Sequence, residues 1–384
     1  MNTERMVKKV IVISKDDIVS YPPVVSLCNI LLDLCITPVL VAPCSDKSLS
    51  DRLEKSGVVL YKQPVYKGNR LSKMFQLFLL KKRSGEILKK EYIEGDTYVW
   101  VVQYELLAVL SSFISRYDIV AYMLEFRPHK LEWYYKLLFS PVGSFFEKFI
   151  KVKKVVCCEY NRAIITQYLF GLNKRPYVLP NKPYVEERKG EMIALPDDAK
   201  KILSLYSDKK IILYQGFIGP DRKLEDFIKA VKSLPEEYVL FIMGADNEYR
   251  KSLECKYAGN KVVFMPFIVP PAHMEVTKKA YIGILTYTPS SGDIGSVLNN
   301  LYCAPNKLYE YSRYGKPMIS NDTPALRYAF SQYEAGICVE ELNQDNILKA
   351  ILDIDAGYEN YSNQSSFLYD DVNMLDIVSN ICQK

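Results

Sequence analysis

The run Gly216-Phe217-Ile218-Gly219-Pro220-Asp221-Arg222-Lys223 carries two glycines and ends on two adjacent cations. Glycine lets a backbone come close to an anion, a helix starting after such a turn offers unpaired N–H groups, and Arg222 with Lys223 adds positive charge. Residues of these types in this order can cradle a diphosphate; a solvated Arg-Lys pair on a loop is the other reading they allow. Downstream, Ala304-Pro305-Asn306-Lys307-Leu308-Tyr309-Glu310-Tyr311 reads as a helix start, with Pro305 in the first turn and Lys307 and Glu310 three apart on one face. There the cation suits a phosphate and the carboxylate suits a pair of ribose hydroxyls, with a solvated surface ion pair as the alternative.

Such groups need strands and helices to hold them. In the first half, short β-branched and apolar runs predict strands at Val10 to Ile13, Pro38 to Ala42, Tyr98 to Val102, Ile119 to Leu124, Lys154 to Cys158 and Pro176 to Leu179. Amphipathic stretches over 24–34 and 51–56 separate the first of them, which is βαβ order. Two prolines in Leu179-Pro180-Asn181-Lys182-Pro183 close this pattern. The alternation then restarts, with strands at Lys210 to Gln215, Tyr238 to Met243, Lys261 to Met265, Tyr281 to Leu285, Pro317 to Ser320 and Gly336 to Val339, and helices between them. The expected class is α/β: two Rossmann-like, doubly wound parallel-sheet domains, residues 1–183 and 184–367, with a C-terminal helix over 368–384 packing back on the first. Sheets of this kind bind ligands outside the carboxyl ends of their strands, so two of them are expected to face across a cleft.

A chain of 384 residues with 49% apolar and 25% charged content has mass for two such domains, which excludes disorder, collagen and a small disulfide scaffold. Nine cysteines without a CxxC spacing, and only His129 and His273 as imidazoles, leave no material for a zinc site and imply reduced, mostly buried thiols of the cytosol. The longest apolar stretch, Tyr98 to Ile114, is broken by Gln103 and Glu105, so no membrane span or secretory leader is expected. Charge is uneven, +11 through Pro183 and −6 beyond it. Residues 67–90 hold eight Lys/Arg and one acid, with Leu71, Met74, Phe75, Phe78 and Leu79 at helical spacing, and residues 133–154 mix aromatics with Lys148, Lys151, Lys153 and Lys154. Both segments fit a peripheral helix on an anionic inner leaflet, or helices packed on the sheet with solvated lysines. No nucleic-acid module is recognisable. Asp353-Ile354-Asp355 reads as the acidic solvent face of a helix rather than a metal site.

The combination YQGFIGPDRKLE (214–225) with NNLYCAPNKLYEYSRYGKPMIS (299–320) resembles the donor domain of family 4-type glycosyltransferases of the GT-B fold, especially bacterial enzymes of capsule, O-antigen and other surface polysaccharide synthesis. The likeness spans about residues 205–345. It implies transfer of a sugar from a nucleoside-diphosphate sugar to a glycan acceptor, with retention of configuration and with neither metal nor other cofactor; were the basic segments to attach the protein to an inner leaflet, a polyprenyl-diphosphate-linked glycan would be the acceptor. Glu310 matches the second glutamate of the family's E-x7-E pattern, which holds the ribose, whereas the first falls on Tyr302, a departure at the usual sugar contact. By the same resemblance Arg222, Lys223 and Lys307 stabilise the departing diphosphate. Gly216, Phe217, Gly219, Asn306 and the loop containing Ser290, Ser291 and Gly292 cradle the donor. Glu125 follows strand 119–124 where relatives place a polar residue, and is a general base if the reaction inverts; pairing with Arg127 or Lys130 is its other reading. At the level of function, a nucleotide-sugar epimerase or a phosphorylase of the same fold, or a non-catalytic nucleotide-sugar-binding module, are the alternatives.

Overall fold

The computed structural model describes residues 5–65, 68–126, 149, 151–184, 194–289 and 294–384. The chain divides into two compact units, Met1–Glu186 with Asn373–Lys384, and Glu187–Val372.

The first unit is built on seven strands: β1 (Lys9–Ile13), β2 (Thr37–Pro43), β3 (Val59–Gln63), β4 (Thr97–Val102), β5 (Ile119–Met123), β6 (Lys154–Cys157) and β7 (Tyr177–Val178). They lie in the order β3-β2-β1-β4-β5-β6-β7, and every pairing is parallel. β1, β2, β4 and β5 are buried on both faces, which is why their sequences are nearly continuous apolar runs. β3 escaped the sequence reading although Val58-Val59-Leu60-Tyr61 is apolar: it is an edge strand, with Val59 and Lys62 exposed and only Gln63 buried, and the run breaks at once into Lys62-Gln63-Pro64. The stretch from Tyr98 to Ile114 divides into β4 and a helix, Tyr104–Val109, with Gln103 between them at φ 73° and ψ 155°. That backbone region is otherwise used almost only by glycine.

Residues Arg70–Glu91 form one helix, started by Asn69, whose side chain accepts from the Ser72 N–H at 3.0 Å. Leu77, Leu80 and Leu88 face the core, while Leu71, Phe75 and Phe78 are exposed. Most of 133–154, like residues 127–130, lies outside the described residues. Among the described residues no helix is long and apolar enough to cross a membrane. All nine cysteines are free thiols, six of them buried.

The expected single helix over 368–384 is two. Helix Tyr358–Asp371 belongs to the second unit, and a new helix, Met374–Cys382, starts where the Asn373 side chain accepts from the Asp376 N–H at 3.2 Å. That last helix belongs to the first unit: Val378, Ile381 and Cys382 are fully buried, and Lys154 Nζ donates to the Ile381 carbonyl at 2.8 Å.

The second unit carries six strands: β8 (Lys210–Gln215), β9 (Tyr238–Met243), β10 (Val262–Met265), β11 (Ile282–Leu285), β12 (Met318–Asn321) and β13 (Gly336–Val339). Their order is β10-β9-β8-β11-β12-β13, again wholly parallel. From β8 the chain winds outward through β9 and β10, then returns to β11 on the other side, so β8 and β11 flank the switch point where doubly wound sheets bind ligands. Asp355 is not a solvent-facing acid. It accepts from Lys210 Nζ at 2.6 Å and from the Tyr281 hydroxyl at 2.5 Å, tying helix Gln344–Ala356 to the start of β8.

Helix Asn306–Ser312 crosses β11 at Gly283. A Cβ there would stand 2.5 Å from the Tyr311 ring, so only glycine allows the ring to lie on the strand. The Tyr311 hydroxyl then donates to the carbonyl of Leu213, the residue paired with Gly283 on β8, at 2.9 Å. Gly283→Ala is therefore expected to lower the stability of the second unit by about 1–3 kcal/mol, read as a lower midpoint in urea unfolding.

Candidate functional site

β8 is apolar from Ile211 to Tyr214, ends on buried Gln215, and turns at Gly216, whose φ of 118° is open to glycine and few other residues. The Gly216 N–H donates to the Met243 carbonyl at 2.9 Å, and a Cβ on Gly216 would sit 3.5 Å from Lys307 Nζ. Phe217 points outward, 66% exposed, and the Tyr214 hydroxyl donates to its carbonyl. Gly219 is extended and precedes the short turn Pro220–Arg222; Lys223 follows in a left-handed conformation at the start of helix Leu224–Ser233.

The left-handed residue separates the two adjacent cations. Arg222 folds back over the carboxyl end of β11, donating from Nη1 to the Thr286 carbonyl at 2.9 Å, with its guanidinium 4.5 Å from the centre of the Tyr287 ring. Lys223 is exposed, with its backbone opening the helix. Tyr287 is held by Asn321 at the end of β12: its N–H donates to Asn321 Oδ1 at 2.7 Å, and its carbonyl accepts from Nδ2 at 3.0 Å. This exchange prolongs β11 past its last paired residue and gives the ring a fixed platform.

Lys307 reaches the same place from helix Asn306–Ser312. Pro305 stands just ahead of the first turn as the N-cap, not within it, and half-buried Asn306 opens the helix. Lys307 Nζ lies 4.5 Å from the centre of the Tyr214 ring and 5.2 Å from that of Tyr287. Burial of the ammonium, and then the Arg222 charge beside it, push its pKa down to about 7, against a smaller opposing pull from Glu310. Lys307 has no ion-pair partner among the described residues, and Arg222 has only Asp221, at 3.4 Å.

Glu310 is buried on the other side of β8's end. Its Oε2 accepts from Gln215 Nε2 at 2.6 Å, and its Oε1 lies 3.3 Å from His273 Nε2. Four buried polar atoms around this cluster, Arg222 Nε, Thr286 Oγ1, Thr288 Oγ1 and His273 Nδ1, have no hydrogen-bond partner among the described residues. Buried polar atoms left unmatched are costly, and a group of them beside two cations and a carboxylate describes a site made for a polar anion.

Of the residues expected from the sequence, the structure brings Gly216, Phe217, Gly219, Arg222, Asn306, Lys307 and Glu310 to the carboxyl ends of β8 and β11, and leaves Lys223 outside. Ser290, Ser291 and Gly292 lie outside the described residues. Glu125 belongs to the first unit, where its N–H donates to Gln103 Oε1 at 3.2 Å just past β5. Sequence reasoning missed Tyr214, Gln215, His273, Thr286 and Tyr287. Two signals pointed to three of them: a polar residue, Gln215, ending an apolar strand, and Thr-Tyr-Thr directly after β11.

The fold is similar to that of several solved structures. HepE of Anabaena in complex with UDP-glucose matches with a TM-score of 0.67 at 12% identity, covering 98% of this chain and 98% of that one. The sucrose-phosphate synthase of Thermosynechococcus elongatus matches with a TM-score of 0.65 at 14% identity, covering 97% of each chain. MnaA of S. aureus, solved with UDP, matches with a TM-score of 0.62 at 14% identity, covering 98% of this chain and 95% of that one. These likenesses establish two Rossmann-like parallel-sheet domains of the GT-B type. No curated protein matches the sequence. The cluster built around Arg222, Lys307 and Glu310 lies within residues 197–366, and this segment matches the family described as glycosyl transferases group 1.

Proposed function

We propose that the protein is a glycosyltransferase that moves a sugar from a nucleoside-diphosphate sugar to a glycan acceptor. The carrying observation is the convergence of Arg222 and Lys307 on the Tyr287 ring, at the switch point of a doubly wound sheet, with Lys307 in no ion pair among the described residues. Breaking the bond between the anomeric carbon and a diphosphate oxygen places growing negative charge on the leaving group. Two fixed cations meet that charge, and they stabilise it more in the transition state than in the bound donor. The cations supply this without a metal, and the reading includes no other cofactor. Glu310 takes the ribose hydroxyls. UDP accompanies two of the similar structures, HepE and MnaA, and favours a uridine donor.

The finer reading follows the sequence resemblance: a family 4-type enzyme of capsule, O-antigen or related surface polysaccharide synthesis, retaining configuration, with Glu125 and the loop Ser290, Ser291, Gly292 completing the substrate contacts and a polyprenyl-diphosphate-linked glycan as acceptor. Helix Arg70–Glu91 supports attachment to the inner leaflet, because exposed Leu71, Phe75 and Phe78 follow one another at helical spacing among exposed Arg70, Lys73, Lys82 and Arg83.

Three outcomes check these assignments. Glu310→Ala is expected to weaken UDP binding about tenfold by calorimetry, whereas Arg222→Ala lowers kcat by about 10²–10³ with a smaller change in donor affinity. Wild-type values in both would displace the site. Lys307 gives the pH dependence: its amine is protonated below about 7 and neutral above, and only the protonated form attracts a diphosphate. UDP affinity should therefore fall about tenfold or more between about pH 7 and about pH 9, and Lys307→Arg, which stays charged, should flatten the profile. In vesicle co-sedimentation the protein should prefer phosphatidylglycerol over phosphatidylcholine, and Phe75→Ser with Phe78→Ser should release it.

A further inference from the structure

Three buried polar side chains meet in a row beneath the site. Gln215, the last residue of an otherwise apolar strand end, is 2% exposed; Thr277, on helix Met274–Lys279, is fully buried; Glu310 is 8% exposed. Gln215 Nε2 donates to Glu310 Oε2 at 2.6 Å, and Gln215 Oε1 accepts from the Thr277 hydroxyl at 2.8 Å. The same hydroxyl has the His273 carbonyl as a longer second acceptor at 3.2 Å. Burying an amide and a hydroxyl beside a carboxylate contributes little stability even when all are matched, and apolar residues would fill the same space. Where three elements bring buried polar side chains to one point, function is the usual reason.

The Glu310 carboxylate, which can only accept, decides that the amide NH2 of Gln215 faces it, and the Thr277 hydroxyl holds the other end of that amide. The flipped amide would oppose Oε1 to Oε2, two acceptors with no proton between them; in the orientation that remains, Oε1 takes the Thr277 proton, and this second bond pins the amide plane. Glu310 is thereby fixed about its own terminal bond. A carboxylate has about four lone-pair directions. Gln215 uses one on Oε2, and His273 Nε2 stands beside Oε1 at 3.3 Å. One direction remains on each oxygen, the arrangement that two neighbouring hydroxyls require.

We infer that Gln215 and Thr277 are positioning residues that orient Glu310 for simultaneous contact with both ribose hydroxyls, so that the protein discriminates ribonucleoside from 2′-deoxyribonucleoside diphosphates. The inference rests on the nucleotide-binding reading of Glu310 given above. Loss of one hydroxyl leaves a buried, charged acceptor direction unmatched, which a donor site rejects more strongly than it would reject a lost apolar contact.

The experiment is calorimetric titration of the full chain with the tightest binder among UDP, GDP, ADP and CDP, and with its 2′-deoxy counterpart. Wild-type protein should prefer the ribonucleotide by about tenfold. Gln215→Leu and Thr277→Val should bring the two affinities together, and Thr277→Ser, which keeps the hydroxyl, should restore the preference. Circular dichroism and melting temperature report whether each variant folds; Thr277→Val conserves volume and carries the test if Gln215→Leu does not fold. A folded Thr277→Val that keeps the wild-type ratio overturns the inference and leaves nucleotide binding standing. A wild-type chain that binds none of the four diphosphates overturns both.

Discussion

Helix Asn306–Ser312 can lie against β11 because Gly283 has no side chain, and nearly everything at the carboxyl edge of the second sheet follows from that contact. The Tyr311 ring occupies the vacated space, and its hydroxyl reaches across to the Leu213 carbonyl on β8. One ring thus registers the helix against both strands of the switch point. Lys307, four residues earlier on the same face, is delivered between Tyr214 and Tyr287, and Glu310, the preceding neighbour, is delivered to Gln215. A chain that placed a methyl group at 283 would have to lift the helix and carry all three side chains away together.

The electrostatics of the site are deliberately unfinished. Arg222 and Lys307 approach the same aromatic ring, whose electron-rich face partly compensates their repulsion. Asp221 lies 3.4 Å from Arg222, whereas Glu310, the carboxylate nearest Lys307 in sequence, is engaged by Gln215 and flanked by His273. Lys307 thus stays outside any ion pair among the described residues, and its pKa is depressed first by burial and then by the Arg222 charge beside it. A diphosphate entering the site would relieve this repulsion.

The fold was largely legible because buried parallel strands write themselves as short apolar runs; β8 to β13 were all readable, and β3 was not, since an edge strand with Val59 and Lys62 exposed keeps only the brief run Val58-Val59-Leu60-Tyr61 before turning polar. The chemistry was legible where it lies within one segment, as in Asn306-Lys307 and Glu310. It was not legible where the partner comes from elsewhere. Nothing in the sequence couples Gln215 to Thr277, 62 positions away, or Asn321 to Tyr287, 34 away. Nor does it reveal that Lys223 adopts a left-handed backbone, the local turn that sends Arg222 inward and leaves its neighbour in solvent.

The return of residues 373–384 to the first unit makes that unit discontinuous along the chain. During synthesis the seven-stranded sheet emerges early but lacks the apolar cover that Val378, Ile381 and Cys382 provide until the second unit has been made in full. Domains usually fold in the order they leave the ribosome. Here the unit synthesised first is finished last, so the second unit can reach its native packing while the first is still waiting for its final helix.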